Sequence, residues 1–336
     1  MVRVTRRSGR RAREAGSPQA INLTVSSSRA SGAGQPPHER ALASLVARLR
    51  WPRRRTPEEL TPVLSEWLYQ RYFIGWREPG RPREDLAGDA AFVAELLARV
   101  GEAQTWEAGF RVAQRTRAGA FVERDGLRLW VTDLTGLWPR PTREGQRVAV
   151  RVPCARESAI PGFFTVVSRA GRLEPGEPHL KLYLNVAPRA VPALLEGLVS
   201  HPSLRRARFE AKVGNEPAHY CRRDTALLYV DARDYRLVAR WCLAFRRRHR
   251  SAFRAASPPM TWPLAPGLSA AESPPGDEES YGAQRCRLLA EALVGARQAQ
   301  ADWRSAVAAR FAEEGLNWTR PWLGALAVDW TYLRLR

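Results

Sequence analysis

Residues Leu180-Lys181-Leu182-Tyr183-Leu184-Asn185-Val186 alternate apolar and polar side chains without a break. Successive side chains on a strand point to opposite faces, so Leu180, Leu182, Leu184 and Val186 share one core face and Lys181, Tyr183 and Asn185 the other. A helix cannot sort a two-residue period onto two faces, so this stretch demands a sheet. Arg208 to Val213 repeats the pattern, with Lys212 on a polar face beside Arg208 and Glu210, and Ala226 to Val230 reads as another buried strand. Gly162 to Ser168 is apolar almost throughout and reads the same way.

Helical spacing dominates the two ends. It begins near Glu39 with Leu42, Leu45, Val46 and Leu49. Thr56-Pro57-Glu58-Glu59 then opens a helix, with Thr as N-cap, Pro at the first position and acids in the first turn. In that helix Trp67, Tyr69 and Tyr72 read as packing residues, and Phe92 to Val100 marks another short helix. From 102 to 155 the period is two, and Asp125-Gly126 is a type I′ hairpin signal. Pro188 to Ser200, 233–249 and 279–314 are helical. Pro258 to Gly276 reads as a Pro-rich loop, and Trp318 to Trp330 as a short tail packed on the core. Ser280 reads as the cap of the last long helix, whose free N–H groups are also a potential anion site.

The expected fold class is α+β: a central, mostly antiparallel sheet, flanking helices and a disordered N-terminal tail. Residues 1–37, rich in Arg, Ser, Gly and Pro, form the tail. Their acid-poor composition also suits a transit or secretion signal, or an over-long start. The helical part 38–101 joins 102–336 in one continuous domain.

Only two of the 54 basic residues are lysine, Lys181 and Lys212, and both fall on the strands just described. Arg cannot accept a proton at ordinary pH, whereas a desolvated Lys can. The net charge of +20 favours anionic partners such as nucleic acid, phosphopeptides or acidic segments. Four scattered cysteines and five unpaired histidines indicate no zinc site and no disulfide framework, so neither a metal nor another cofactor is expected. No apolar run is long enough to span a membrane, and no membrane partner is expected.

Strands presenting Lys181, Tyr183 and Lys212 near Arg222 and Arg223 can form a phosphate-binding concavity. Cations crowded around a Lys push it towards the neutral amine, which can take a proton α to a carbonyl while the cations receive a departing phosphate. Asn185, on the face of Lys181, is counted with the substrate-binding residues. The same spacing also describes an ordinary solvated strand face, with Arg208–Glu210 and Arg222–Asp224 as surface pairs. His179 and His219 are near in sequence but carry no motif.

Leu180 to Asn185, Phe209 to Val213, Tyr220-Cys221-Arg222-Arg223-Asp224, Leu228 to Val230, Glu279 to Cys286 and Phe311 to Leu316 follow in an order that resembles the HopA-type effector family. Trp67-Leu68-Tyr69 and Tyr72 extend the resemblance, which covers about residues 60–325. Such domains occur in bacterial type III effectors and as lyases of class V lanthipeptide and thioviridamide-like peptide pathways, beside a separate kinase. They resemble in turn the phosphothreonine lyases, in which a Lys takes the α-proton and a His protonates the leaving group. The resemblance implies Lys212 as base and Lys181, Arg222 and Arg285 as phosphate ligands. Tyr183 stands where the lyases carry His; a phenol is the weaker acid unless cations lower its pKa.

The expected function is therefore a metal-free lyase that converts phosphoserine or phosphothreonine in a ribosomally made precursor peptide into dehydroalanine or dehydrobutyrine, with a kinase as partner. A non-catalytic phosphopeptide-binding or effector-like module is the alternative. Nucleic-acid binding ranks last, because no helix carries a basic and aromatic pattern. The expected location is a bacterial cytoplasm, or a host cell if the effector reading holds.

Overall fold

A computed structural model describes residues 36–51, 56–76, 88–174, 176–274, 279–324 and 333–335. The expected disordered tail, except for Pro36 and Pro37, lies outside the described residues. So do the Arg53–Arg55 loop and residues 325–330 of the Trp318–Trp330 tail, whose described part packs on the core through Trp318 and Trp322. Pro37 is not tail: it is the first residue of α1 (Pro37–Val46). The helix α2 (Pro57–Trp67) starts on a capping box, in which the Thr56 hydroxyl accepts from the Glu59 N–H and the Glu59 carboxylate from the Thr56 N–H. It runs directly into a π-helical turn, Leu68–Phe73. The Asp89 side chain caps α3 (Ala90–Val100).

The region read as antiparallel is a five-stranded sheet: β1 (Gln104–Thr116), β2 (Gly119–Arg124), β3 (Leu127–Val131), β4 (Leu137–Trp138) and β5 (Arg147–Pro153), in the order β3-β2-β1-β5-β4. Asp125 and Gly126 both have positive φ, 51° and 77°, as the type I′ turn between β2 and β3 requires. This sheet encloses a small core of its own around Phe110, Val122 and Val150.

The rest of the chain builds a seven-stranded sheet. In sequence it comprises β6 (Ala155–Ile160), β7 (Phe163–Val167), β8 (His179–Leu184), α4 (Val191–Ser200), β9 (Phe209–Gly214), β10 (Ala226–Asp231), α5 (Tyr235–Arg248), β11 (Trp262–Ala265), β12 (Leu268–Glu272), α6 (Tyr281–Gln298) and α7 (Trp303–Glu313). The spatial order is β11-β12-β8-β10-β9-β7-β6, and every pairing is antiparallel. The fold is α+β, as expected. The Pro-rich stretch 258–276 is not simply a loop, because it contains the β11–β12 hairpin, whose second strand pairs with β8. Ser269, Ala270 and Ala271 are too small to show the apolar–polar contrast by which a strand is recognised.

Helices cover both faces of the large sheet. Leu182, Phe209, Leu228 and Val230 pack with Leu96 of α3, Leu194 of α4 and Val238 of α5. On the opposite face Tyr183 and Ala271 meet Leu64 of α2, Phe73 of the π-helical turn and Leu289 of α6. Each fully buried Leu or Val contributes about 1.5–3 kcal/mol, so this double layer is what holds β8 in place. It also overturns the solvated-face reading: Lys181, Tyr183 and Asn185 are only 4, 3 and 3 % exposed. Among the described residues no helix is long and apolar enough to cross a membrane.

The contact between α6 and the π-helical turn tolerates no extra atom at Gly282, where a Cβ would strike the Phe73 ring. Gly→Ala in an exposed helix stabilises by ~1 kcal/mol; here overpacking against Phe73 reverses the sign. Gly282→Ala should lower unfolding stability by about 1–3 kcal/mol, read as a lower midpoint in urea at unchanged slope.

Candidate functional site

β10 lies between the two lysine-bearing strands. It pairs with β8 so that Tyr229 opposes Lys181 and Leu227 opposes Tyr183, and with β9 so that Leu227 opposes Lys212 and Tyr229 opposes Glu210. Lys181 and Lys212 therefore stand on the same face, offset by one register step and two strands apart, roughly 10 Å at the backbone. β7 adds Phe163 at the same face's edge. The π-helical turn brings Tyr69 and Phe73 over it, the segment after β9 brings Arg222 and Asp224, and the start of α6 brings Ser280 and Gly282.

These groups enclose a cavity of about 230 Å³. That is smaller than the ~300–1,000 Å³ of pockets for whole small molecules, and suits one side chain or a small anion. It adjoins a larger cavity of about 870 Å³, with Lys181, Tyr229 and Ser280 lining both. Among the described residues no cluster of His, Cys, Asp and Glu could hold a metal ion.

Charge in the small cavity is strongly arranged. The Lys212 ammonium stands 3.7 Å from the centroid of the Phe163 ring. Burial, and next the Arg222 guanidinium, lower its pKa to about 8, against a smaller opposing effect of Asp224. Lys181 is more deeply enclosed, its Nζ 5.1 Å from the Tyr229 ring centroid. Arg222 donates from Nε and Nη2 to the two Asp224 carboxylate oxygens, both at 2.8 Å, and is also hydrogen-bonded to the Tyr69 hydroxyl. Burial works against its charge, but Asp224 and Tyr69 hold it protonated. The pair is no exposed surface bridge, since the two side chains are 16 and 9 % exposed.

Tyr183 lines the cavity, edge-on to Phe73 with ring centroids 5.9 Å apart. Burial raises its phenol well above the usual value, and the neighbouring Tyr281, Tyr229, Asp224 and Tyr69 add to that. The rise makes Tyr183 a weak proton donor where it stands.

Three residues expected at the site are spent elsewhere. Arg285, 1 % exposed, donates from Nε to the Pro321 carbonyl at 3.0 Å and from Nη2 to the Leu323 carbonyl at 2.9 Å, and lies over the Tyr281 ring. It ties the segment after α7 to α6 and is not part of the cavity wall. Arg223 donates to the Tyr72 carbonyl at 2.6 Å and is enclosed beneath Gly75. Asn185 lies just past β8, its Nδ2 donating to the Ala256 carbonyl at 2.8 Å. The proposed Arg208–Glu210 pair is also replaced: Arg208 bridges Asp231 and Glu177, and Glu210 pairs with Arg172. His179 lines the larger cavity, whereas His219 is buried against Gly214.

Sequence reasoning passed over Tyr69, Phe163 and Asp224. Tyr69 had no distinguishing signal, being one aromatic among several on an amphipathic helix. Asp224, two residues after Arg222, was seen but read as a surface partner.

Residues 154–323 match the HopA1 effector protein family. Among solved structures, an effector protein from Pseudomonas syringae pv. tomato strain DC3000 is 16% identical, covering 85% of this chain and 95% of that one at a TM-score of 0.49. An effector protein from Pseudomonas syringae pv. syringae strain 61 is 17% identical, covering 80% and 99% at a TM-score of 0.42. No curated protein matches. The matched stretch supplies the sheet face, Arg222, Asp224 and the start of α6, while Tyr69 and Phe73 come from outside it.

The chain has only two lysines, so 15N-lysine labelling gives two side-chain signals to follow with pH. Lys212 should titrate near pH 8 rather than at 10.5. Arg222→Gln removes a depressing cation and should move that midpoint up, and Asp224→Asn removes a raising anion and should move it down. A midpoint that ignores both changes would refute this account of the site.

Proposed function

The chain belongs to the HopA1 effector protein family, and on that premise we propose that the small cavity is the active site of a lyase that eliminates phosphate from a phosphoserine or phosphothreonine of a polypeptide. The observation that supports it is Lys212: an amine held near pKa 8 inside a cavity that also contains Lys181 and Arg222. A lysine so poised is partly neutral at physiological pH and is matched to general-base work.

In this reading the Lys212 amine takes the proton from Cα. The Cα–H electrons form the Cα=Cβ bond, the Cβ–O bond breaks, and phosphate leaves with its electron pair. Lys181, on the wall common to both cavities, supplies the proton that the leaving oxygen needs, because burial makes the Tyr183 phenol too weak an acid. Arg222 and the positive N-terminal end of α6 compensate the remaining phosphate charge. Asp224 occupies two of the Arg222 donors, so Arg222 offers phosphate only its other N–H groups. Arg285 has no part in the step, as its guanidinium is occupied by carbonyls. A peptide made by a biosynthetic pathway and phosphorylated by a separate kinase remains the proposed substrate.

The same pocket without elimination is the second reading, favoured by Tyr183 in the place of an acid and by the pairing of Arg222. Incubation with a phosphorylated peptide should show loss of phosphoric acid by mass spectrometry. Lys212→Arg should abolish that loss, by 10²-fold or more on the scale of general-base catalysis, while phosphopeptide binding persists. Lys181→Ala should weaken binding itself. Binding without any mass loss in the unaltered protein would leave the second reading.

A further inference from the structure

The larger cavity beside the small one is a groove between the two sheets. Its far wall comes from β1 and the β2–β3 turn, which precede the stretch matched to the family. Two large apolar side chains on it are left in water: Trp106 is 40% exposed and Ile160 is 39% exposed. The arginines of the groove are already engaged. Arg124 pairs with Glu107 at 3.0 Å, Arg172 with Glu210 at 3.3 Å, and Arg208 with Asp231 at 2.6 Å. Asp125 and Glu174, exposed in the same lining, make no ion pair within 4 Å among the described residues, although Glu174 acts on Arg208 at longer range. In a chain of net charge +20, this groove apart from Lys181 is thus lined by five carboxylates (Glu107, Asp125, Glu174, Glu210 and Glu279) against three guanidiniums.

That combination excludes a polyanion as the occupant. Nucleic acid draws its affinity from uncompensated Lys and Arg neutralising phosphates, and an acidic peptide segment has the same need. An exposed tryptophan and an isoleucine in one lining with exposed carboxylates suit a polypeptide carrying an apolar residue and a positive charge. The groove also meets the small cavity at Lys181, Tyr229 and Ser280, so a chain lying in it can place one side chain in the cavity.

We infer that this groove holds the polypeptide adjoining the phosphorylated residue, and that it selects a segment with an apolar residue and a basic residue over an acidic one. The inference rests on the proposed function of the small cavity. It reverses the expectation from overall charge that an acidic segment would be recruited. Trp106 and Asp125 of the preceding sheet would thus choose the peptide together with Ile160 and Glu174 of the family-matched stretch.

The test measures anisotropy of labelled phosphothreonine peptides whose flanks are Leu/Lys-rich, Leu/Asp-rich or Gly-rich, with unphosphorylated copies of each. The protein is the full chain bearing Lys212→Arg, to prevent turnover. The Lys-flanked phosphopeptide should bind roughly ten-fold tighter than the Asp-flanked one at low salt, and the gap should narrow as salt screens it. Adding Asp125→Lys and Glu174→Lys should close or invert the gap. Trp106→Ala should weaken the Leu-containing phosphopeptides but not the Gly-flanked one. Equal binding of all phosphopeptides, or indifference to these substitutions, overturns the groove inference and leaves the cavity reading intact. If no phosphopeptide binds better than its unphosphorylated copy, the cavity reading falls and the inference with it.

Discussion

Strand β10 between β8 and β9 is the constraint on which the rest of the site depends. It pairs with β8 through its whole length and with β9 over Ala226 to Val230, and its Leu227 and Tyr229 fill the interval between Lys181 and Lys212. Helices then close both faces of these strands. Leu182 and Leu228 are sealed beneath α4 and α5, and Tyr183 beneath α2 and α6. A lysine placed on such a face loses most of its water. That loss, more than any single neighbour, is what lowers the Lys212 pKa.

The arginines of this chain divide by what they touch. Arg285 is wholly enclosed and engaged by the Pro321 and Leu323 carbonyls and the Tyr281 ring. Taking away such partners would leave a buried charge uncompensated, at several kcal/mol. Arg222 is held differently, by a bidentate carboxylate and a phenol at the wall of a cavity. Arg223, its neighbour in sequence, turns away to the Tyr72 carbonyl and fastens the π-helical turn to the β9–β10 connection. Adjacent, chemically identical residues therefore have different tasks, because the backbone is extended at Arg222 and successive side chains then point to opposite sides.

Much of the framework was legible locally. The N-cap at Thr56, the Asp125-Gly126 turn and the alternation of β8 each rest on contacts or dihedral angles within a few residues. The β11–β12 hairpin was not legible, since Ser269, Ala270 and Ala271 carry no contrast and only pairing with β8 makes them a strand. Tyr69 and Tyr72 show the same limit at the site. Three residues apart in one helical stretch, one reaches Arg222 in the cavity while the other donates to the His38 carbonyl in the core.

By itself the sequence determined which residues could do chemistry: two lysines in an arginine-rich chain, both on alternating strands, with Arg222 close behind. Residue type and period are local properties, so they could be read without knowing the neighbours. Only the tertiary structure decided what those residues became. Strand order placed the lysines across β10, helix packing turned a face that reads as polar into a desolvated one, and distant carbonyls claimed Arg223, Arg285 and Asn185. Desolvation and hydrogen-bond partners come from segments far apart in sequence, and no period along the chain records them.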